Sequence, residues 1–180
     1  AVQGSGTIEL TSSIALSDQV TIDSGKTIIL DMNGETLSIG FSDSSKNLIV
    51  NNGTLTITGD GTFDATEATS YKGFINNYGT LTVENGTFQI ADKAMTVHLR
   101  NQDGGKAVIN GGTFSGGATI VRSFEGSNTT ITGGSFTNSV YPAVDVNGET
   151  LITGGIFTNT SCSRCDSQNW GYTVRSGVDR

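Results

Sequence analysis

The chain has 180 residues, of which 15% are charged, with a net charge of −7 at neutral pH, 25 glycines, one proline and two cysteines. Its acids are scattered from Glu9 to Asp179 and no basic cluster offsets them, which excludes a surface built to displace counterions from nucleic acid. The longest apolar runs are of the "TIIL" kind at residues 27–30, far short of a helical membrane span, and the length fits a single domain, 1–180.

From the amino terminus, pairs of apolar residues two apart recur: Ile8 and Leu10, Val20 and Ile22, Ile28 and Leu30, Leu37 and Ile39. This period of two predicts short strands with one inward face. Residues 1–47 read as an amino-terminal cap with irregular first rungs. From residue 48 to 160 a repeat takes over, in "LTITGDGTF", "LTVENGTF", "AVINGGTF", "TTITGGSF" and "TLITGGIF", whose phenylalanines lie 25, 26, 22 and 21 residues apart. Each unit opens on an alternating strand, breaks at glycine where positive φ is accessible, and delivers one Phe. A further apolar run follows in "GFIN", "MTVHL", "ATIV" and "AVDV".

Three short strands and no helix per unit cannot bury an apolar face alone, so neighbouring units must stack. The expected fold is all-β, a single-stranded right-handed parallel β-helix, or β-solenoid, of about seven to eight rungs of 21–26 residues. Phe63, Phe88, Phe114, Phe136 and Phe157 should form an internal stack, with Ile57, Val83, Ile109, Ile131 and Ile152 as a second column.

"VTIDSGKTIILDMNGETLSI", followed by "LIVNNGTLTITGDGTF", resembles the opening rungs of pectate-lyase-like β-helix proteins from the surfaces of Gram-positive, often gut, bacteria. The resemblance covers nearly the whole chain and implies a non-catalytic member of the adhesin type. It implies the fold more narrowly than the function, because the same architecture carries lyases, hydrolases, phage tail spikes, adhesins and stalks. Ala1 then reads as the start of a mature chain or of a piece of a longer one, in an extracellular or cell-surface setting.

Residues 161–180 hold Cys162 and Cys165 in "SCSRCDSQNW", then Trp170 and Tyr172, which begin what reads as a last rung. Two cysteines with one distant histidine do not make a zinc site, and a small-loop disulfide is the expectation, with free thiols or an intermolecular bridge as alternatives. No capping sequence is evident near Arg180, so end-to-end association with other copies is one expectation and a cut within a longer protein the other. No cofactor is expected.

Catalysis in this fold would need convergent carboxylates or a calcium site beside a base. Asp60, Asp64, Asp92, Asp103, Glu125 and Asp145 do not pair on a strand face, and no polygalacturonase-like motif is present. In "MTVHLR", Thr96, His98 and Arg100 alternate with Met95, Val97 and Leu99, which turns His98 and Arg100 toward water. Arg122 occupies the place of Arg100 one rung on, and Arg175 repeats the phrase. His98, Arg100 and Arg122 are therefore the candidate ligand-binding residues, a basic strip for acidic or sulfated glycan; ordinary outward residues neutralised by Asp103, Glu125 or Asp145 are the alternative.

Outward threonines form two partial columns. Thr56, Thr82 and Thr130 are interrupted by Val108 and Leu151, and Thr58, Thr132 and Thr153 by Glu84 and Asn110, a poor match to an ice lattice. Asparagines recur at the turns, Asn33, Asn52 and Asn147 before Gly with Asn51 and Asn77 nearby, and such side chains could satisfy backbone groups at the bends and stack as ladders. The sequence thus points to a secreted or surface-displayed structural or adhesive module, self-associating or glycan-binding, without a catalytic site or membrane insertion. A polysaccharide-degrading enzyme or tail-spike-like receptor-binding protein is the alternative, and ice binding a third.

Overall fold

The computed structural model describes residues 4–41, 43, 45–67, 73–91, 96–138 and 141–159, and a last strand at 174–176, with backbone only at 138 and 174–176. Three strands make each turn of the chain. The first turn is β1 (Gly6–Glu9), β2 (Ile14–Leu16) and β3 (Val20–Ile22), and the second β4 (Thr27–Asp31), β5 (Thr36–Ile39) and β6 (Ile49–Asn51). Then come β7 (Thr54–Thr58), β8 (Thr62–Ala65) and β9 (Ile75–Asn77), followed by β10 (Thr80–Val83), β11 (Thr87–Ile90) and β12 (Val97–Asn101). The last turns are β13 (Lys106–Ile109), β14 (Thr113–Ser115) and β15 (Thr119–Ser123), then β16 (Asn128–Ile131), β17 (Ser135–Asn138) and β18 (Val144–Val146), and finally β19 (Glu149–Ile152), β20 (Ile156–Asn159) and β21 (Val174–Ser176).

Every third strand pairs in parallel with the next, giving three seven-stranded sheets that run the length of the molecule: sheet A from β1 to β19, sheet B from β2 to β20 and sheet C from β3 to β21. The result is a parallel β-solenoid whose seven three-strand levels span about six turns from first to last, close to the seven to eight rungs expected. The sequence separation of register partners is greatest at the two ends of sheet C, where Val20 pairs with Ile49 and Val144 with Val174. Residues before 48 already supply strands to all three sheets. No helix among the described residues is long and apolar enough to cross a membrane.

Parallel pairing without slippage places like residues over like. In sheet B, Phe63, Phe88, Phe114, Phe136 and Phe157 are register partners, and their rings stack at centroid separations of 4.7, 4.5, 5.0 and 4.7 Å with interplanar angles of 10° or less. Ile57, Val83, Ile109, Ile131 and Ile152 form the facing column from sheet A. The ring spacing equals the strand spacing of a sheet, so pairing and aromatic contact are satisfied by one geometry.

Two glycines before the Phe have separate duties. At Gly111 a Cβ would meet the carbonyl oxygen of Glu84 in the rung above at 2.5 Å, so a side chain would force the rungs apart. At Gly112 the φ of 99° turns the chain into sheet B, a conformation costly for any L side chain.

The corner between sheets C and A is lined with polar groups that satisfy one another. The Asn51 Nδ2 donates to the Asn77 Oδ1 at 2.7 Å, the Asn77 Nδ2 to the Asn101 Oδ1 at 2.8 Å, and the Asn101 Nδ2 to the Thr129 Oγ1 at 2.9 Å. Ser123 ends the ladder 2.9 Å from the same hydroxyl. These side chains are fully buried and also cap strand-end carbonyls, including those of Thr80, Lys106 and Asn128. Removing a middle member strands the others.

Asn77→Ala should therefore cost about 1–3 kcal/mol, and Phe114→Ala, which opens a cavity between two rings, about 3–5 kcal/mol, in urea unfolding of the purified chain. A Phe114→Ala loss near that of an exposed residue would contradict the stacked core.

Candidate functional site

Sheet C enters each turn by a corner at which alternation fails. Two consecutive residues face inward there: Leu48 and Ile49, Phe74 and Ile75, His98 and Leu99, Ile120 and Val121, Ala143 and Val144, all buried. At one such corner the Ala143 carbonyl accepts from the backbone N–H groups of both Ile120 and Val121, each at 3.0 Å, the signature of a bulge. After the bulge alternation resumes, so the next residue points out and the one after it joins the Asn ladder.

This corrects the expected orientation of His98. It does not face water: it is 1% exposed, in the column of Leu48, Phe74, Ile120 and Ala143, with its ring 5.5 Å from Phe74 and edge-on to Phe114 at 5.9 Å. Its Nε2 lies 3.2 Å from the Gly116 carbonyl oxygen, to which it donates, while Nδ1 is buried without a partner. Burial, opposed only by backbone hydrogen bonds, lowers its pKa from 6.5 to about 4. His98 is thus a neutral core residue and leaves the list of ligand-binding candidates.

Arg100 and Arg122 do point outward and are register partners on adjacent turns, between Asn76 on one side and Asp145 on the other, with Arg175 at the following backbone position. Their guanidinium carbons lie 5.7 and 5.1 Å from the centroid of the Phe124 ring, which both share. The Arg122 Nε is 3.3 Å from the Asp145 Oδ2, an ion pair whose geometry falls outside that of a hydrogen bond. Of the three acids expected to neutralise the arginines, it is Asp145 that makes contact. Arg100 has no carboxylate partner among the described residues.

Burial, and after it the like charge of Arg122, hold Arg100 below the ordinary guanidinium value, while nearby Tyr78 acts in the opposite sense. Arg100 remains a cation at any physiological pH, so the direction records a half-buried charge short of compensation. Beside it, Tyr78 is 47% exposed. The Asn76 Nδ2 donates to the Tyr78 Oη at 3.3 Å, and the Gln102 Nε2 donates to the Asn76 Oδ1 at 2.6 Å, so the amide of Asn76 is held from two sides. Asn76, Tyr78, Arg100, Gln102, Arg122 and Phe124 form one lateral strip of cations, amides and aromatic rings. Spacing alone pointed to the two arginines; the aromatic members follow from register, since Tyr78, Gln102 and Phe124 each come two residues after the outward position.

The other candidates are dispersed. Asp60 accepts from Asn85 at 2.6 Å, Asp64 from the Thr66 backbone and hydroxyl at 2.9 and 2.7 Å, and Asp103 and Glu125 are exposed. Asp92, Cys162 and Cys165 lie outside the described residues. No group of three or more His, Cys, Asp or Glu side chains among the described residues is placed to hold a metal ion.

On sheet A the first threonine column runs Ile29, Thr56, Thr82, Val108, Thr130, Leu151 by register. Where the second column is broken, Asn110 bridges Glu84 and Thr132 at 3.0 and 2.8 Å. A more regular hydroxyl column, Thr36, Thr62, Thr87, Thr113 and Ser135, lies on sheet B directly before Leu37 and the phenylalanines stacked on it. Reading the residue before each Phe down the repeats would have shown it.

The chain matches no family model, no curated protein and no solved structure.

The buried histidine sets a pH dependence. As pH falls below 6.5 the unfolded chain takes up a proton that the folded chain refuses until about pH 4, so stability should drop across that window by about 3 kcal/mol. His98→Phe, matching Phe74 in the column, should flatten that part of the curve in urea unfolding at a series of pH values; an unchanged slope would mean that His98 is not buried neutral.

Proposed function

We propose that this chain is a secreted or surface-displayed structural and adhesive module, a non-catalytic relative of pectate-lyase-like β-helix proteins, that holds acidic glycan along the strip on sheet C. The observation that carries this reading is the Arg100–Arg122 pair: two guanidinium groups on adjacent turns, over one aromatic ring, with a single carboxylate contact between them among the described residues. A half-buried cation so placed gains from an anion, and aromatic faces beside amide groups suit a sugar ring, which offers both C–H surface and hydroxyls.

The surrounding surface supports the same reading. It is rich in threonine, serine and asparagine and poor in charge, so a ligand anion finds its attraction concentrated at the arginines. A disulfide between Cys162 and Cys165 belongs to this proposal, as a staple suited to an oxidising compartment.

Immobilised acidic glycans should retain the full chain and their neutral counterparts should not. Arg100→Gln combined with Arg122→Gln should weaken binding about tenfold or more, and Lys106→Gln, an exposed cation on sheet A, should leave it unchanged. Binding that follows Lys106 as much as the arginines would reduce the interaction to unspecific charge, and no binding to any acidic glycan would sink the reading.

A further inference from the structure

Taking the strip as a glycan surface, we propose that the group it holds is a sulfate ester of a saccharide, seated between the guanidinium groups of Arg100 and Arg122 with the sugar ring against Tyr78. The two arginines stem from register partners on adjacent parallel strands, so their backbones are one strand spacing apart, about 4.8 Å, and both guanidinium carbons lie near the one ring of Phe124, 5.7 and 5.1 Å from its centroid. Their donors therefore stand at two levels on one side of the sheet. A carboxylate is planar, and its two oxygens match the fork of a single guanidinium edge-on. A sulfate ester is tetrahedral and presents three terminal oxygens in different directions, enough to accept from two forks at different levels.

Charge places the anion on the Arg100 side. Along the column the order is Asn76, Arg100, Arg122, Asp145, so Arg122 already has a carboxylate neighbour and Arg100 faces a neutral amide. The site is partly dehydrated: Asp145 is 6% exposed and both arginine Nε atoms are buried. Surrendering water costs more for a phosphate monoester, with nearly two charges at neutral pH, than for a sulfate ester with one, which separates these two tetrahedral groups. Tyr78, 47% exposed and held through Asn76 and Gln102, is the aromatic face next to the anion position.

The test is calorimetric titration of the full chain, at one fixed salt concentration, with three oligosaccharides: a sulfated galactan fragment, the same fragment desulfated, and an unsulfated oligouronate. The sulfated fragment should bind, desulfation should weaken binding about tenfold or more, and the oligouronate should bind more weakly than the sulfated fragment. Arg100→Gln should abolish the gain from sulfation, and Arg100→Lys, which keeps the charge but loses the fork, should retain only part of it. Tyr78→Ala should weaken sulfated and desulfated fragments by the same factor. Oligouronate binding as tight as or tighter than the sulfated fragment would overturn the sulfate assignment while leaving the glycan reading intact; binding of none of the three would overturn both.

Discussion

In-register parallel pairing between successive turns is the constraint on which everything else in this molecule depends. Because each strand lies on its equivalent one turn earlier, a residue's environment is set by the residues at the same position above and below it. Phenyl rings meet phenyl rings, asparagine amides meet asparagine amides, and the ring separations of 4.5–5.0 Å repeat the strand spacing. Stacking identical groups in this way makes the energetic contribution of each turn depend mainly on its two neighbours. Variation in repeat length is absorbed at the corners, where it leaves the columns undisturbed.

Much of this was legible in the sequence because the columns are written in it. A glycine stands two residues before the phenylalanine in every repeat, and the Ile57 to Ile152 column follows from alternation within single strands. Alternation misled at His98, for a definite physical reason. At the corner into sheet C two consecutive residues turn inward, through a bulge where Ile120 and Val121 share the Ala143 carbonyl, and period two cannot be carried across it. Laying "NLIVNN", "GFINN", "VHLRN" and "TIVRS" over one another would have placed His98 with Leu48, Phe74 and Ile120, because repeat position is a stronger constraint than local alternation. The same overlay extends the asparagine ladder to Asn101 and, carried one residue further, brings Tyr78 and Phe124 beside the arginines.

Register also explains how a chain with few charges could concentrate a binding surface. On an isolated strand Arg100 would be one cation among solvent-exposed neighbours. In the solenoid it stands beside Arg122, over Phe124, with Tyr78 and the Asn76 amide on the adjoining turn, contributed by residues widely separated in sequence. The like charges repel, and half-buried Arg100 has no carboxylate partner among the described residues, an arrangement that an anion would relieve. The fold tolerates it because the core columns hold the strands in place whatever the outer face carries. In such an architecture the inner residues specify the structure and single outer columns are free to acquire a partner.

The most direct measurement is a double-mutant cycle on the affinity for a sulfated oligosaccharide, using Arg100→Gln, Arg122→Gln and the pair together. If register brings both guanidinium groups to one anion, the double variant should lose less than the sum of the single losses, by about 1 kcal/mol or more. Strictly additive losses, or no loss from either variant, would mean that the two arginines do not act on the same group, and would contradict the account.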